Sequence, residues 1–282
     1  MNPGAAALVL LAALLHASWN ALLRSSHARL QAMVVMCATD VVLAAVALTV
    51  LWPDLALPSR AAWYCIAAST AIHVGYNLFL VRAYRTGELG EAYPIARGSS
   101  PLLVTLGAAL FAGERLSLLT TLGIVLVSGG IMTLALRRGR IAAASLPAAL
   151  ATGLCIAAYT VVDGTGVRLS GDTRAYVLWF FLCEGLSVPL ILVAHRGTAA
   201  FVCSLADATK AAVGGLLSIL AYGVVLWAMT LGPMGPVSAL RETSVVFAAL
   251  LGRLFLNETL TVRRVAACGV IALGAACLGY RP

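Results

Sequence analysis

Residues 90–114 read GEAYPIARGSSPLLVTLGAALFAGE, and residues 234–258 read MGPVSALRETSVVFAALLGRLFLNE. Each stretch exceeds the ~20 residues that a helix needs to cross the ~30 Å hydrocarbon core of a bilayer. Each also carries an arginine, Arg97 or Arg241, inside its apolar run and a glutamate at its end. Because a charge inside the bilayer is costly, the two stretches predict membrane-spanning helices whose arginines serve a function.

The whole chain has the composition of an integral membrane protein. Of its 282 residues, 61% are hydrophobic and 11% are charged, and its mean hydropathy is +0.97. Ten apolar stretches are long enough to span a bilayer, and they cover residues 4–23, 30–52, 61–85, 91–113, 117–136, 145–168, 174–195, 210–231, 234–256 and 261–279. The sequence therefore predicts an all-α integral membrane protein with ten transmembrane helices and no separate soluble domain.

The same composition excludes several classes of function. The strand-period alternation of an outer-membrane barrel is missing, and no phosphate-binding loop of the GxxxxGK[ST] kind is present to support ATP-driven transport. The 7 cysteines have no paired spacing and the histidines belong to no metal-binding motif, so we expect no cofactor, no metal and no enzymatic activity. The 19 basic residues are scattered, which favours contact with lipid headgroups over nucleic acid.

The two halves of the chain align at an offset of 144 residues. This offset places Arg97 on Arg241, and it places Asp40 on Glu184. Since each half has an odd number of predicted helices, the second half enters the membrane in the opposite sense to the first. The sequence predicts two inverted five-helix repeats, residues 1–141 and 142–282, with a site between them near the bilayer midplane.

Polar side chains inside the predicted helices are candidates for lining that site. In the first helix, His16 and Asn20 are four residues apart and share a face, with Trp19 beside them. In the third helix, a second polar stripe includes His73, Tyr76 and Asn77. Such stripes are typical of a lined cavity, and hydrogen bonds that only hold helices together are the structural alternative.

The fourth predicted helix carries the strongest signal for a ligand. Helical spacing sets Tyr93, Arg97 and Ser100 on one face. Because Pro101 cannot donate to the carbonyl of Arg97, we expect a kink that leaves this carbonyl and the guanidinium group in one place. A planar cation with five donors suits a carboxylate, phosphate or phosphonate group.

The ninth predicted helix repeats the arginine in a different setting. Arg241 has no proline matching Pro101, and Glu242 is its neighbour in sequence. Arg97 and Arg241 therefore either bind an anionic ligand together or neutralise buried acids such as Glu242.

Three carboxyl groups stand alone within apolar runs: Asp40 in the second predicted helix, Asp163 in the sixth and Glu184 in the seventh. Burial and a nearby arginine act on such a group in opposite directions, and this competition can leave a carboxyl able to change its protonation. Proton coupling of transport is one interpretation, and pairing with an arginine is the other. Glu114 and Glu258 lie at helix ends, where we expect caps or gate pairs with Arg115 or Arg253.

Several motifs together resemble the drug/metabolite transporter superfamily, specifically its EamA group. They are HASWN at residues 16–20, AYPIARGSSP at 92–101 with the glutamate that follows its helix, SALRETS at 238–244 and NETL at 257–260. The resemblance covers the whole chain and implies a central cavity between two inverted repeats, lined by helices 1, 3, 4, 6, 8 and 9. It implies that these side chains face the cavity: His16, Trp19, Asn20, Tyr76, Tyr93, Arg97, Tyr159 and Arg241.

We therefore expect a secondary active transporter of the cell membrane that binds a small polar metabolite. The metabolite carries a carboxylate or phosphorus oxyanion and is exported or exchanged by alternating access, and the protein works as a monomer or homodimer in the lipid bilayer. One alternative is a flippase for a phosphorylated lipid headgroup. Another is an exporter of organic cations that uses Asp40 and Glu184.

Overall fold

The computed structural model describes residues 2–86, 89–135, 146–255 and 260–279. It is all-helical in these ranges, with eleven α helices, one short 3-10 helix at Gly197–Phe201 and no strand. The α helices are α1 Pro3–Ser25, α2 Arg29–Leu51, α3 Arg60–Thr86, α4 Leu89–Ala112, α5 Leu118–Thr133, α6 Leu146–Leu169, α7 Thr173–Arg196, α8 Leu205–Leu231, α9 Met234–Arg241, α10 Ser244–Phe255 and α11 Val262–Gly279.

Local sequence explains where several helices begin. The side chains of Asn2, Ser117, Asp172 and Ser204 each accept a backbone N–H from the first turn of α1, α5, α7 and α8. Burial raises the pKa of the Asp172 carboxyl, but hydrogen bonds from the side chain and backbone of Arg174 outweigh it and lower that pKa overall.

Eight spans among the described residues are long and apolar enough to cross a membrane, and α5 is a shorter apolar helix. The break between α9 and α10 lies inside one of these spans, Met234–Phe255. The chain is thus a multi-span helical protein, and the count of ten spans stays a prediction.

The helix contacts follow the repeat: when each helix is replaced by its counterpart in the other half of the chain, the contacts stay equivalent. Helix α1 packs on α8 as α3 packs on α6, and α1 packs on α10 as α6 packs on α4. The pairs α2 with α7 and α5 with α11 each join equivalent helices of the two halves. The boundary that we predicted between residues 141 and 142 lies outside the described residues.

Helices α5 and α11 approach closely at glycines. A Cβ atom on Gly123 would lie 2.9 Å from the carbonyl oxygen of Gly274, and one on Gly274 would lie 2.8 Å from that of Gly123. Small residues of this kind let membrane helices come into backbone contact. Helices α5 and α11 therefore pack directly against each other, beside the central helices.

Candidate functional site: a central cavity with two buried arginines

A cavity of about 200 Å³ lies at the centre of the helices. Side chains from α1, α2, α3, α4, α6, α7, α8 and α9 contribute to its wall. Its lining residues are Ala12, His16, Trp19, Asn20, Met33, Met36, Cys37, Asp40, His73, Tyr76, Asn77, Tyr93, Arg97, Tyr159, Phe180, Phe181, Glu184, Val188, Ser218, Ala221, Tyr222, Val225 and Arg241. The wall includes α2 and α7, which the expected set of lining helices left out.

Two arginines in this wall share one carboxylate. Nε of Arg97 lies 2.9 Å from Oε2 of Glu242, and Nη2 of Arg241 lies 3.3 Å from Oε1 of the same residue. Glu242 is fully buried, while Arg97 and Arg241 are 6% and 3% exposed. Three charged groups thus lie together inside the protein, two positive and one negative.

The span predicted over residues 234–256 is present as Met234–Phe255, and its helix is interrupted where Glu242 lies. Helix α9 ends at Arg241 and α10 begins at Ser244. The turn between them is held by short-range bonds: the N–H of Thr243 donates to the carbonyl of Leu240 over 3.1 Å, and so does its hydroxyl over 2.6 Å. The break occurs with no proline or glycine in the turn, and the Thr243 hydroxyl occupies the Leu240 carbonyl at the end of α9.

The first repeat behaves differently at the equivalent place. Helix α4 continues through Pro101 without interruption, and the hydroxyl of Ser100 donates to the Arg97 carbonyl over 3.1 Å. The carbonyl that we expected to be free is therefore occupied. Ser100 is fully buried and lines neither of the two cavities described here, so the structure does not bring it to the site.

Side chains of α1 and α4 hold Arg97 in position. Its Nη2 donates to Nε2 of His16 over 2.7 Å. Because guanidinium can only donate, this ring nitrogen is the acceptor and does not carry a proton. The Asn20 side chain donates to the His16 carbonyl over 2.9 Å, and the Arg97 guanidinium carbon lies 5.7 Å from the centre of the Tyr93 ring.

Aromatic rings form much of the remaining wall. His73 stacks on Tyr159 with ring centres 3.9 Å apart, and Phe180 contacts Tyr222 at 5.5 Å. The polar stripe of the third predicted helix included His73, but sequence reasoning missed Phe180, Phe181 and Tyr222 as site residues. Apolar and aromatic residues in α7 and α8 offer no pattern that separates a cavity-facing ring from a lipid-facing one.

Behind these rings lies a buried carboxylate, Asp163. Its two oxygens accept the hydroxyls of Tyr176 over 2.9 Å and Tyr222 over 2.7 Å. Asp163 is fully buried and makes no ion pair among the described residues. The two tyrosines thus satisfy a carboxylate that no arginine pairs with in the described part of the chain.

Asp40 and Glu184 line the cavity on α2 and α7. Asp40 is 4% exposed, and its Oδ1 has no hydrogen-bond partner. Neither carboxyl forms an ion pair with Arg97 or Arg241 in the part of the chain that the structure describes, because both arginines contact Glu242 instead. Among the described residues, neither acid has the arginine partner that one of the two interpretations requires.

The structure brings together most of the predicted site. All the predicted ligand-binding residues except Ser100 line the central cavity, as do Asp40 and Glu184, and Glu242 lies behind the arginines. Whether these residues bind a substrate stays a prediction. The described residues contain no group of three or more histidine, cysteine, aspartate or glutamate side chains able to hold a metal ion.

A second cavity, the vestibule, adjoins the first. It has a volume of about 350 Å³ and shares His16, Asn20 and Tyr93 with the central cavity. Arg24 at the end of α1 and Arg263 and Arg264 at the start of α11 also line it. The vestibule lies between the central cavity and the end of the molecule where α1 and α10 terminate, which we call the vestibule end.

The opposite end, the closed end, is tied together by Glu114 and Arg168. Arg168 donates to Oε1 of Glu114 and to the carbonyls of Met229 and Gly232, each over 2.8 Å. Both Glu114 oxygens accept the N–H of Met234, at 3.1 and 2.9 Å. These bonds join the ends of α4, α6 and α8 to the start of α9.

Part of this end was predicted from sequence. Glu114 does cap a helix start, where a carboxylate is stabilised by the helix dipole. Its expected partner Arg115 was wrong, since the ion pair is made with Arg168. The partner expected for Glu258 cannot be compared, because Glu258 lies outside the described residues.

A cavity enclosed by apolar spans and lined by buried charges defines a membrane transport protein, and comparison with known proteins gives its family. The EamA-like transporter family matches residues 4–136 and again residues 144–280. The chain belongs to this family and is a multi-pass protein of the cell membrane. Its two matched segments are the two repeats.

The fold also occurs among solved structures, of which 29 chains match. One crystal structure aligns with a TM-score of 0.77 at 22% identity, covering 98% of this chain and 96% of the other. At this identity the likeness shows the fold alone. No curated protein matches the chain at a significant level.

Proposed function

We propose that this transporter is a secondary carrier of a small metabolite bearing a carboxylate or phosphorus oxyanion. One observation carries the proposal: Arg97 and Arg241 line the central cavity while only one carboxylate, Glu242, makes ion pairs with them among the described residues. Two cations beside one anion leave one positive charge uncompensated within that group. An anionic ligand would supply the missing charge, and guanidinium groups bind oxyanions with two parallel hydrogen bonds.

The two ends of the molecule support alternating access for this ligand. The vestibule connects the site to one end through side chains common to both cavities. At the closed end, Glu114 and Arg168 bind four helix ends together. We propose that the ten predicted spans form two inverted five-helix repeats, whose rocking opens the closed end as the vestibule end closes.

A ligand screen of the purified protein in detergent tests this proposal. Amino acids, phosphonates, sugar phosphates and organic cations are added separately, and thermal unfolding is followed for the wild type and for Arg97→Gln. A ligand at a hundred times its Kd stabilises the folded state by about 2.7 kcal/mol. We expect an oxyanion to stabilise the wild type and not Arg97→Gln.

Arg60→Gln is the matched control, because Arg60 is an exposed arginine at the start of α3, remote in the chain from the site. It should respond to the same ligand as the wild type does. Equal stabilisation of Arg97→Gln, or no response to any oxyanion, would contradict the proposal.

Export of an organic cation is the second candidate. It is favoured by Asp40 and Glu184, which line the same cavity, and by the unpartnered Oδ1 of Asp40. This candidate predicts stabilisation by cations that is unchanged in Arg97→Gln and lost in Asp40→Asn.

A further inference from the structure

The uncompensated charge of the arginine site is set by a residue that does not line the cavity. Glu242 is fully buried behind Arg97 and Arg241. Each of its two oxygens faces a different arginine, Oε2 at 2.9 Å and Oε1 at 3.3 Å. Glu242 thereby cancels one of two positive charges without occupying the place where a ligand would bind.

The arginines keep donors for a ligand while they face Glu242. Nε of Arg241 is buried and has no hydrogen-bond partner. Nη2 of Arg97 is held toward His16 at 2.7 Å, and His16 itself lines the cavity. A buried donor without an acceptor is unfavourable, so a ligand oxygen would stabilise this arrangement.

The rest of the wall disfavours additional negative charge on the ligand. Asp40 and Glu184 line the same cavity of about 200 Å³. Asp163 lies close behind it, bonded to the hydroxyl of the cavity-lining Tyr222. No lysine and no further arginine lines this cavity among the described residues.

We propose that Glu242 makes the central site selective for a ligand group with a single negative charge, a carboxylate or a monoanionic acid, and against dianions. This inference rests on the proposed anion site and goes further, since that site alone would accept either kind of oxyanion. Removing the Glu242 charge leaves two uncompensated positive charges, and the site should then bind a dianion more tightly than a monoanion.

Methanesulfonate and sulfate are suitable probes, because both are tetrahedral sulfur oxyanions and they differ by one charge. Their affinities are measured by thermal-shift titration, with the shift of Arg97→Gln subtracted to remove the general stabilising effect of sulfate. We expect the wild type to bind methanesulfonate about tenfold or more tightly than sulfate, and Glu242→Gln to reverse the order.

Two further variants test the proposal if Glu242→Gln fails to fold: one removes a positive charge, and the other then restores the net charge of the site. Arg241→Gln leaves one arginine and one glutamate, and it should bind neither probe. The double variant Arg241→Gln with Glu242→Gln has again one net positive charge, and it should recover binding of methanesulfonate. Recovery cannot follow from a purely structural role of Glu242, since the double variant lacks the ion pair altogether.

The outcomes separate this inference from the proposed function. The role of Glu242 is refuted, while the anion site stands, if the wild type binds sulfate as tightly as methanesulfonate. The same holds if Glu242→Gln keeps the wild-type order of affinities and the double variant fails to recover methanesulfonate binding. If neither probe shifts the wild type relative to Arg97→Gln, both the anion site and the role of Glu242 are refuted.

Discussion

Arg97 is held by Glu242 and His16 from other segments, in addition to Tyr93 of its own helix. Its guanidinium group contacts Glu242 on one side and His16 on another, and these come from different halves of the chain. A charged side chain fixed in this way does not need to reorganise when a ligand arrives. The positioning by His16 should therefore be visible in ligand affinity.

Replacing His16 by alanine removes the acceptor 2.7 Å from Nη2 of Arg97. We expect the affinity for the ligand found in the screen to fall about tenfold, the effect of about 1.4 kcal/mol for a hydrogen bond to a charged group. Thermal-shift titration measures it. His27→Ala is the control, since His27 is exposed near the end of α1, and equal losses in the two variants would count against positioning by His16.

Tyr222 should matter for stability because of Asp163. Changing Tyr222 to phenylalanine leaves Oδ2 of the fully buried Asp163 without its donor at 2.7 Å. We expect the free energy of unfolding to fall by about 1–3 kcal/mol, seen as a lower unfolding temperature. Tyr64→Phe, at a residue 76% exposed, should have no such effect.

At the scale of helices, the break between α9 and α10 and the contact between α5 and α11 each bring specific groups together. The break places Glu242 under both arginines, and the glycines of α5 and α11 allow backbone contact. Both features can be tested at single positions.

A side chain at Gly274 should push α5 and α11 apart. The added Cβ of Gly274→Ala would lie 2.8 Å from the Gly123 carbonyl oxygen and 2.9 Å from Cγ2 of Val127. We expect a loss of about 1–3 kcal/mol in thermal unfolding. Gly269→Ala in the same helix is the control: nothing lies within 4 Å of its Cβ, so stability should stay level or rise.

The cap that Glu114 provides for α9 should be measurable by hydrogen exchange. Glu114→Gln weakens the bonds from the Met234 N–H and from Arg168. We expect faster exchange in a peptide covering the start of α9, and unchanged exchange in α10. Asp172→Ala removes a different cap at the closed end and should leave α9 unaffected. Unchanged exchange of α9 in Glu114→Gln would show that the closed end is held by other contacts.

Over the whole molecule, sequence predicted the features that follow from the cost of burying charge. An arginine or histidine inside an apolar helix needs a partner, so His16, Arg97 and Arg241 could be found without coordinates, and all three line the cavity. The repeat was visible because charges recur at the same depth in both halves.

What sequence could not supply were contacts between distant segments. The ion pair of Glu114 with Arg168 joins the two halves, and nothing near Glu114 distinguishes Arg168 from Arg115. The break after Arg241 has no proline or glycine to mark it in the sequence, and Arg97, one partner of Glu242, comes from the first half of the chain. Phe180 and Tyr222 are lining residues only because of how α7 and α8 are rotated in the bundle.

Transport in proteoliposomes tests the central claim most directly. The oxyanion that stabilises the purified protein is loaded inside vesicles, and exchange against the same labelled compound outside is measured for the wild type, Arg97→Gln and Arg60→Gln. We predict exchange by the wild type and Arg60→Gln and none by Arg97→Gln. Exchange by Arg97→Gln at the wild-type rate would contradict the account, since the buried arginine site would then not bind what the protein transports.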